Sequence, residues 1–189
     1  MKVLQKSVRS PLGLLYLVAS ETKLHGIHFG RQKNVPAAKT GEHAKVFGAA
    51  ERQLKEYFGG KRMKFDLRLE AEGTPFQKSV WKALGRIPYG KSVSYRDIAR
   101  LVKNPKAVRA VGSANGKNPL CIVVPCHRVI SADGSIGGYS GGLGIKKKLL
   151  ALELGRGSYG KSRSIPSSKS AHGKSRLTTR QPSRSRSNK

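Results

Sequence analysis

The sequence predicts a small α/β unit, then a mainly helical unit with a helix-turn-helix pattern, then a disordered basic tail. Three observations carry this reading. Apolar periods of two and of 3.6 residues share the first 73 residues. From Thr74 onward, helix-start signals follow one another at short intervals. After Gly155 the chain is largely Ser, Lys and Arg, with few apolar residues and no acid, so it cannot bury enough surface to fold alone.

In the first unit, residues 1–73, the apolar β-favouring runs Leu12–Ala19 and Lys23–Phe29 flank Ser20-Glu21-Thr22 and read as a hairpin. Arg31–His43 lacks periodicity and reads as a loop. Phe47, Ala50, Leu54, Tyr57 and Phe58 recur at helical spacing, and Gly59-Gly60 ends that helix. Met63, Phe65, Leu67 and Leu69 alternate with Lys64, Asp66 and Arg68, which predicts a strand. Nothing here is arranged for reaction, so the unit is expected to support its neighbour.

The second unit, residues 74–155, opens on Thr74-Pro75, a cap followed by proline at the first helical position. Phe76, Val80, Trp81 and Leu84 give that helix one apolar face. Pro88-Tyr89-Gly90 is a turn, and Ser94 with Asp97 forms a capping box for a second helix bearing Ile98, Leu101 and Val102. Asn104-Pro105 is expected to cap a third helix over Lys106–Ala114, alanine-rich with Arg109 as its central charge. Short helices in succession, the last with small residues, make the helix-turn-helix pattern. An apolar strand over Cys121–Val124 then leads into Pro125-Cys126-His127-Arg128-Val129. Asp133-Gly134 is a turn, Gly137–Gly142 is a glycine-rich loop, and a last helix runs from Leu143 to Glu153.

The formal net charge is +28 over 189 residues. Residues 1–73 hold 14 basic and 7 acidic side chains, 74–155 hold 14 and 3, and 156–189 hold 10 and none. A polyanion is the natural partner, and with no lipidation signal or long apolar span it is nucleic acid rather than membrane. Lys2, Lys6 and Arg9 before the apolar run imitate a signal peptide, but Pro11 and Gly13 interrupt it. Cys121 and Cys126, the only cysteines, form neither a disulfide framework nor a zinc site and fit a reducing compartment.

Cys126 ends an apolar stretch behind a proline and precedes a histidine, the usual means of obtaining a thiolate near neutral pH. Glu153, a carboxylate at a helix C-terminus, opposes the macrodipole and calls for a specific partner. Together the three could form a thiol–imidazole–carboxylate relay. Such a relay is open to protease, redox or acyl-transfer chemistry.

Thr-Pro-Phe-Gln…Val-Trp, Ile-Pro-Tyr-Gly, Ser-Tyr, Ala-Val-Arg-Ala-Val-Gly, Asn-Pro, Val-Pro-Cys-His-Arg-Val, Gly-Tyr-Ser-Gly-Gly and Leu-Leu-Ala-Leu-Glu occur in order between Thr74 and Glu153. In these motifs the chain resembles the O6-alkylguanine-DNA alkyltransferases, and its N-terminal part is similar to their smaller domain. The resemblance implies a ribonuclease H-like small sheet with a helix, followed by a winged helix-turn-helix-like domain.

It implies that Cys126 accepts the alkyl group, that His127 draws off the thiol proton through a water, and that Glu153 orients His127. Asn118 would brace the turn carrying the motif, and Tyr95 would donate to N3 of the departing guanine. Val129 and the Tyr139-Ser140 loop would line the base pocket, with Ser140 donating to the lesion oxygen. Arg109 would fill the space left by a flipped nucleotide, its helix lying in the minor groove, and Arg96 and Asn104 would meet the phosphate backbone.

The implied partner is double-stranded DNA carrying alkylated bases, met by a monomer with no obligate protein partner, no membrane and no cofactor. The compartment would be the cytoplasm in association with DNA, or the nucleus in a eukaryote. Some family members hold a structural zinc in the N-terminal domain; this one has no cysteine there, so no metal is expected. Cys121 is expected to be a strand residue. The basic tail departs from the family's usual end and is expected to add salt-sensitive DNA affinity. The rival reading is a non-enzymatic lesion-sensing or nucleoid DNA-binding module. Related binding proteins lack the acceptor cysteine, so Cys126 argues against it.

Overall fold

The computed structural model describes residues 2–155; the expectations for the basic tail lie outside them. An antiparallel sheet in the order β1-β2-β3 is formed by β1 (Leu4–Ser10), β2 (Gly13–Ala19) and β3 (Leu24–His28). The predicted hairpin is β2–β3, and β1 adds a strand that the sequence pattern did not give. Only Leu4 and Val8 of β1 are buried apolar residues. Gln5 is buried beside them because its side chain serves the loop that follows β3: its amide donates to the carbonyls of Gln32 and Val35 and accepts from Gln32 N. The long predicted loop is thus pinned to the sheet by one glutamine.

Helix α1 (Ala44–Phe58) lays Phe47, Ala50, Leu54 and Tyr57 on the sheet. The strand expected over 63–69 does not form. That segment joins β3 only near Leu69, where Leu24 N donates to Arg68 O at 2.8 Å and Glu70 N to Leu24 O at 2.9 Å. Mid-segment, the Gln53 side chain brackets Asp66, donating to its carbonyl at 2.6 Å and accepting from its amide at 2.8 Å. A side chain from α1 therefore occupies the backbone groups that a ladder would need.

Helices α2 (Pro75–Leu84), α3 (Tyr95–Leu101) and α4 (Val108–Gly116) pack mutually. Thr74 with Gln77 and Ser94 with Asp97 form complete capping boxes, which fix the starts of α2 and α3. Trp81 on α2 donates its indole N–H to Ala114 O at 2.8 Å, locking α2 to α4. Helix α4 begins two residues later than expected and Asn104 does not cap it; the Asn104 carbonyl instead accepts from Ala107 N in a preceding turn.

The expected strand at Cys121–Val124 is also absent. The chain turns there, with Val124 N bonded to Leu120 O at 2.8 Å and Val123 N to Cys121 O at 2.9 Å. Ile122 sits at φ 74°, a left-handed conformation that a β-branched residue reaches only under strain. A 3-10 turn over Cys126–Arg128 leads into β5 (Val129–Ile130), which pairs in parallel with β4 (Val93–Ser94), and α5 (Leu143–Glu153) closes the fold. One apolar core runs through both halves, from Leu17 and Tyr57 to Val111 and Leu149. Among the described residues, no helix is long and apolar enough to cross a membrane.

Candidate active site

The 3-10 turn buries Cys126 and His127, which retain 1 % and 0 % exposure, beside the C-terminal end of α5. The turn is held from behind. Asn118 donates to Val124 O at 2.8 Å and accepts from Leu120 N at 3.0 Å, while Asn115 reaches Cys126 O at 3.4 Å. Both asparagines are buried, so the turn is fixed by side-chain amides where no ladder exists.

Glu153 Oε1 accepts from His127 Nε2 at 2.7 Å, from the Tyr57 hydroxyl at 2.8 Å and from Arg128 Nη2 at 2.9 Å. Its Oε2 accepts from Arg128 Nε at 2.8 Å and Gly90 N at 3.2 Å. Burial pushes the carboxyl up, but the hydrogen bonds from His127 and Arg128 outweigh it and hold the group at about 2. Glu153 is therefore a carboxylate at any ordinary pH. His127 is pulled below its usual range by burial, against the opposing pull of Glu153. A neutral imidazole whose Nε2 donates to a carboxylate keeps its lone pair on Nδ1. That atom is buried and has no protein partner. The arrangement leaves an imidazole whose free ring nitrogen can accept a proton.

The Cys126 thiol is raised well above its usual value by the adjacent Cys121 side chain and by burial, so it rests protonated. The other residues expected at the site come from β5, α3 and the glycine-rich loop. Val129 is buried in β5. Tyr95, the first residue of α3, is half-buried, and a side chain added at Gly137 would lie 3.2 Å from its hydroxyl. Tyr139 stands edge-on to both His127 and Phe29. Ser140 is exposed at the surface, with its hydroxyl 3.6 Å from Cys121 Sγ. Burial also raises the Tyr95 and Tyr139 phenols, so both remain donors.

Arg96, Asn104 and Arg109 do not join this cluster. They lie exposed on α3, in the turn after it and on α4, near Lys103 and Lys106 in sequence.

The sequence reading missed four residues. Arg128 donates to Ile87 O at 2.6 Å as well as to Glu153, and the cue was its place directly after His127. Tyr57 read as part of an apolar stripe, and nothing in that stripe pointed to its hydroxyl. Lys146 is fully buried and clamps Val129 O at 2.6 Å and Gly138 O at 3.2 Å; burial lowers it to about 8. A lysine on the same helical face as Leu149, Leu150 and Glu153 was the available signal. Cys121, expected in a strand, lies instead on the buried turn that leads to Cys126, with its sulfur 3.7 Å from Asn118 O. Among the described residues, no group of three His, Cys, Asp or Glu side chains is placed to hold a metal ion.

The family model for the 6-O-methylguanine DNA methyltransferase DNA binding domain matches residues 75–155, and that for the ribonuclease-like domain matches residues 3–71. The chain belongs to this family. It is 49 % identical over 148 residues to the methylated-DNA–protein-cysteine methyltransferase of Methanosarcina barkeri, covering 77 % of this chain and 94 % of the relative. It is 46 % identical over 153 residues to the constitutive enzyme of that name from Bacillus subtilis, covering 78 % and 93 %. A crystal structure of Mycobacterium tuberculosis OGT in complex with DNA superposes with a TM-score of 0.75 at 41 % identity, covering 82 % of this chain and 94 % of that one. As in that family, this methyltransferase joins a small sheet domain to a helical DNA-binding domain.

Proposed function

We propose that this chain is a direct-reversal DNA repair protein that moves the alkyl group of O6-alkylguanine, and of O4-alkylthymine, onto its own Cys126. The observation that carries the reading is the buried Cys126–His127–Glu153 arrangement, in which the imidazole is neutral and its Nδ1 is unpaired. Because the target atom lies inside the duplex, the nucleotide must leave the stack to reach a thiol that is only 1 % exposed. The exposed basic face of α3 and α4 meets the duplex, Arg96 and Asn104 at the phosphates and Arg109 in the vacated space.

Cys126 rests as a thiol, so transfer needs a base. His127 Nδ1 takes the proton through one water, and Glu153 stabilises the imidazolium that forms. The Cys126 sulfur attacks the alkyl carbon in line. A C–S bond forms as the C–O6 bond breaks, and the electron pair leaves on the guanine. Tyr95 donates to N3 and Ser140 to O6, which stabilises the departing base. The repaired guanine returns to the stack and the thioether stays, so each molecule acts once. One chain carries the whole relay and acts as a monomer, with no protein partner and no cofactor.

The test is incubation with duplex DNA bearing one O6-methylguanine, followed by mass analysis of the Cys126 peptide. A gain of one methyl group, lost in Cys126→Ser, is expected. A protein that binds the lesion without mass gain would be a sensing module, and a gain that survives the substitution would place the acceptor elsewhere.

A further inference from the structure

The transfer mechanism makes no use of a cation that the fold buries completely. Lys146, the fourth residue of α5, has 0 % exposure, and no carboxylate among the described residues offsets the cost of burying its ammonium. A cation so near a helix N-terminus also opposes the macrodipole. Where only volume is needed, an apolar side chain of this length fills a buried site without either penalty. What Lys146 has and an apolar residue lacks is donors. Its Nζ donates to Val129 O in β5 at 2.6 Å and to Gly138 O in the glycine-rich loop at 3.2 Å. The loop needs such a hold. Four of the six residues in 137–142 are glycine, so ordering it costs much backbone freedom and offers few side chains to bury. Its internal bond runs from Gly142 N to Tyr139 O at 3.0 Å. Tyr139 packs edge-on to Phe29 and His127, and a Cβ at Gly141 would meet the Phe29 ring at 2.6 Å. A sulfur contact joins Ser140 to Cys121 at 3.6 Å, but the bond from a charged donor, the stronger kind, is the one at Gly138 O.

We propose that Lys146 is a positioning residue for the transfer reaction: its ammonium ties the glycine-rich loop to β5 and so holds Tyr139 and Ser140 at the base pocket. The carbonyl of Gly138 shares a rigid peptide plane with Tyr139 N and Cα, so fixing that oxygen fixes the point from which the Tyr139 side chain departs. Ser140 follows one residue on. Lys146 acts through the loop and not on the reacting atoms. Its second bond, to Val129 O, sets the loop against the buried Val129 of β5 and not against a mobile surface group. The consequence for transfer rests on the function proposed above; the clamp on the loop does not.

The test replaces Lys146 by methionine in the full chain, which keeps an unbranched apolar stem and removes the donors. Chymotrypsin acting on the folded protein reads the loop at Tyr139 and the body of the fold at Tyr57, which is buried in α1. In Lys146→Met, cleavage after Tyr139 is expected to quicken by about tenfold or more, as for loss of one hydrogen bond from a charged donor, with cleavage after Tyr57 unchanged. In single-turnover transfer from a duplex O6-methylguanine, the saturating rate is expected to fall by about tenfold. The half-saturating DNA concentration is expected to move by less than about twofold, because Arg96, Asn104 and Arg109 are untouched. Lys146→Gln, which keeps a donor without the charge, is expected to fall between wild type and Lys146→Met in both assays. Equal quickening at Tyr139 and Tyr57 would make Lys146 merely structural and overturn the proposal. So would unchanged cleavage after Tyr139, a released loop with an undiminished rate, or a weakened DNA affinity with the rate intact. If Lys146→Met does not fold, the other two proteins decide. A glutamine variant cut after Tyr139 no faster than wild type, or a wild type cut there as readily as an unfolded chain, would overturn the clamp. A released loop in a protein whose wild type never accepts methyl would leave the clamp standing and sink only the transfer reading.

Discussion

Replacing Glu153 by glutamine tests whether a charge, and not only a shape, holds the site together. The carboxylate receives five hydrogen bonds, from His127, Tyr57, Arg128 twice and Gly90. Glutamine offers one acceptor oxygen and turns an NH2 toward donors, leaving Arg128 buried without its counter-charge. The shift from 4.5 to about 2 corresponds to about 3 kcal/mol of stability at neutral pH. Because the folded value is depressed, that contribution is whole above about 4.5 and is lost as pH falls toward 2. Urea unfolding followed by Trp81, the only tryptophan and 6 % exposed, reads it directly. Glu153→Gln is expected to be about 3 kcal/mol less stable than the wild type at pH 7, the two converging as pH falls through this window. Methyl acceptance is expected to slow by about ten- to hundredfold as His127 loses its orienter. A difference below about 1 kcal/mol at pH 7, or one that does not shrink in acid, would refute the electrostatic argument.

Three further substitutions probe separate parts of the arrangement. Tyr57→Phe removes one buried donor to Glu153 and is expected to cost about 1 kcal/mol and to move acid unfolding to higher pH; an unchanged acid midpoint would show that the hydroxyl does not hold the charge. Gly90 has φ 70°, and a Cβ there would sit 3.0 Å from Glu153 O, so Gly90→Ala is expected to lose about 2 kcal/mol in thermal unfolding. A variant melting with the wild type would mean that the turn can relax. Arg109→Ala is expected to slow transfer from a duplex lesion by about tenfold and from a single-stranded lesion much less, because only the duplex has a stack to refill. Equal slowing on both would assign Arg109 to general phosphate attraction.

The parts of the fold written in local chemistry were legible. Thr74 and Ser94 announced their helices because a cap is one side chain and one backbone amide three residues apart. The stripe of α1 and the span of α5 followed from apolar spacing, and the grouping of Cys126, His127 and Glu153 from residue type and order. What failed depended on distant groups. An apolar run of four, Cys121–Val124, reads the same in a strand and in a buried turn, and no residue there announces the positive φ of Ile122. The alternation at 63–69 was genuine, but Gln53 captured its backbone from another element. Tyr57 and Glu153 are 96 residues apart, and no period reports a contact of that range.

The way the charges cancel explains why the relay can wait. A buried imidazole beside a carboxylate would ordinarily take a proton, yet burial outweighs Glu153 and His127 remains neutral. Arg128 makes this possible. By pairing with Glu153 through two nitrogens it gives the carboxylate its own cation, stacked near the Tyr89 ring at 5.7 Å, so the imidazole need not supply one. His127 therefore keeps an open Nδ1, and Cys126 keeps its proton until a base that can accept the charge is in place. In the proposed transfer the proton moves inward only as the alkyl carbon is attacked, when Glu153 can stabilise the new imidazolium without a change of geometry. A protein that acts once per molecule gains from this order, since a thiolate formed early would be spent on whatever electrophile or oxidant reached it first.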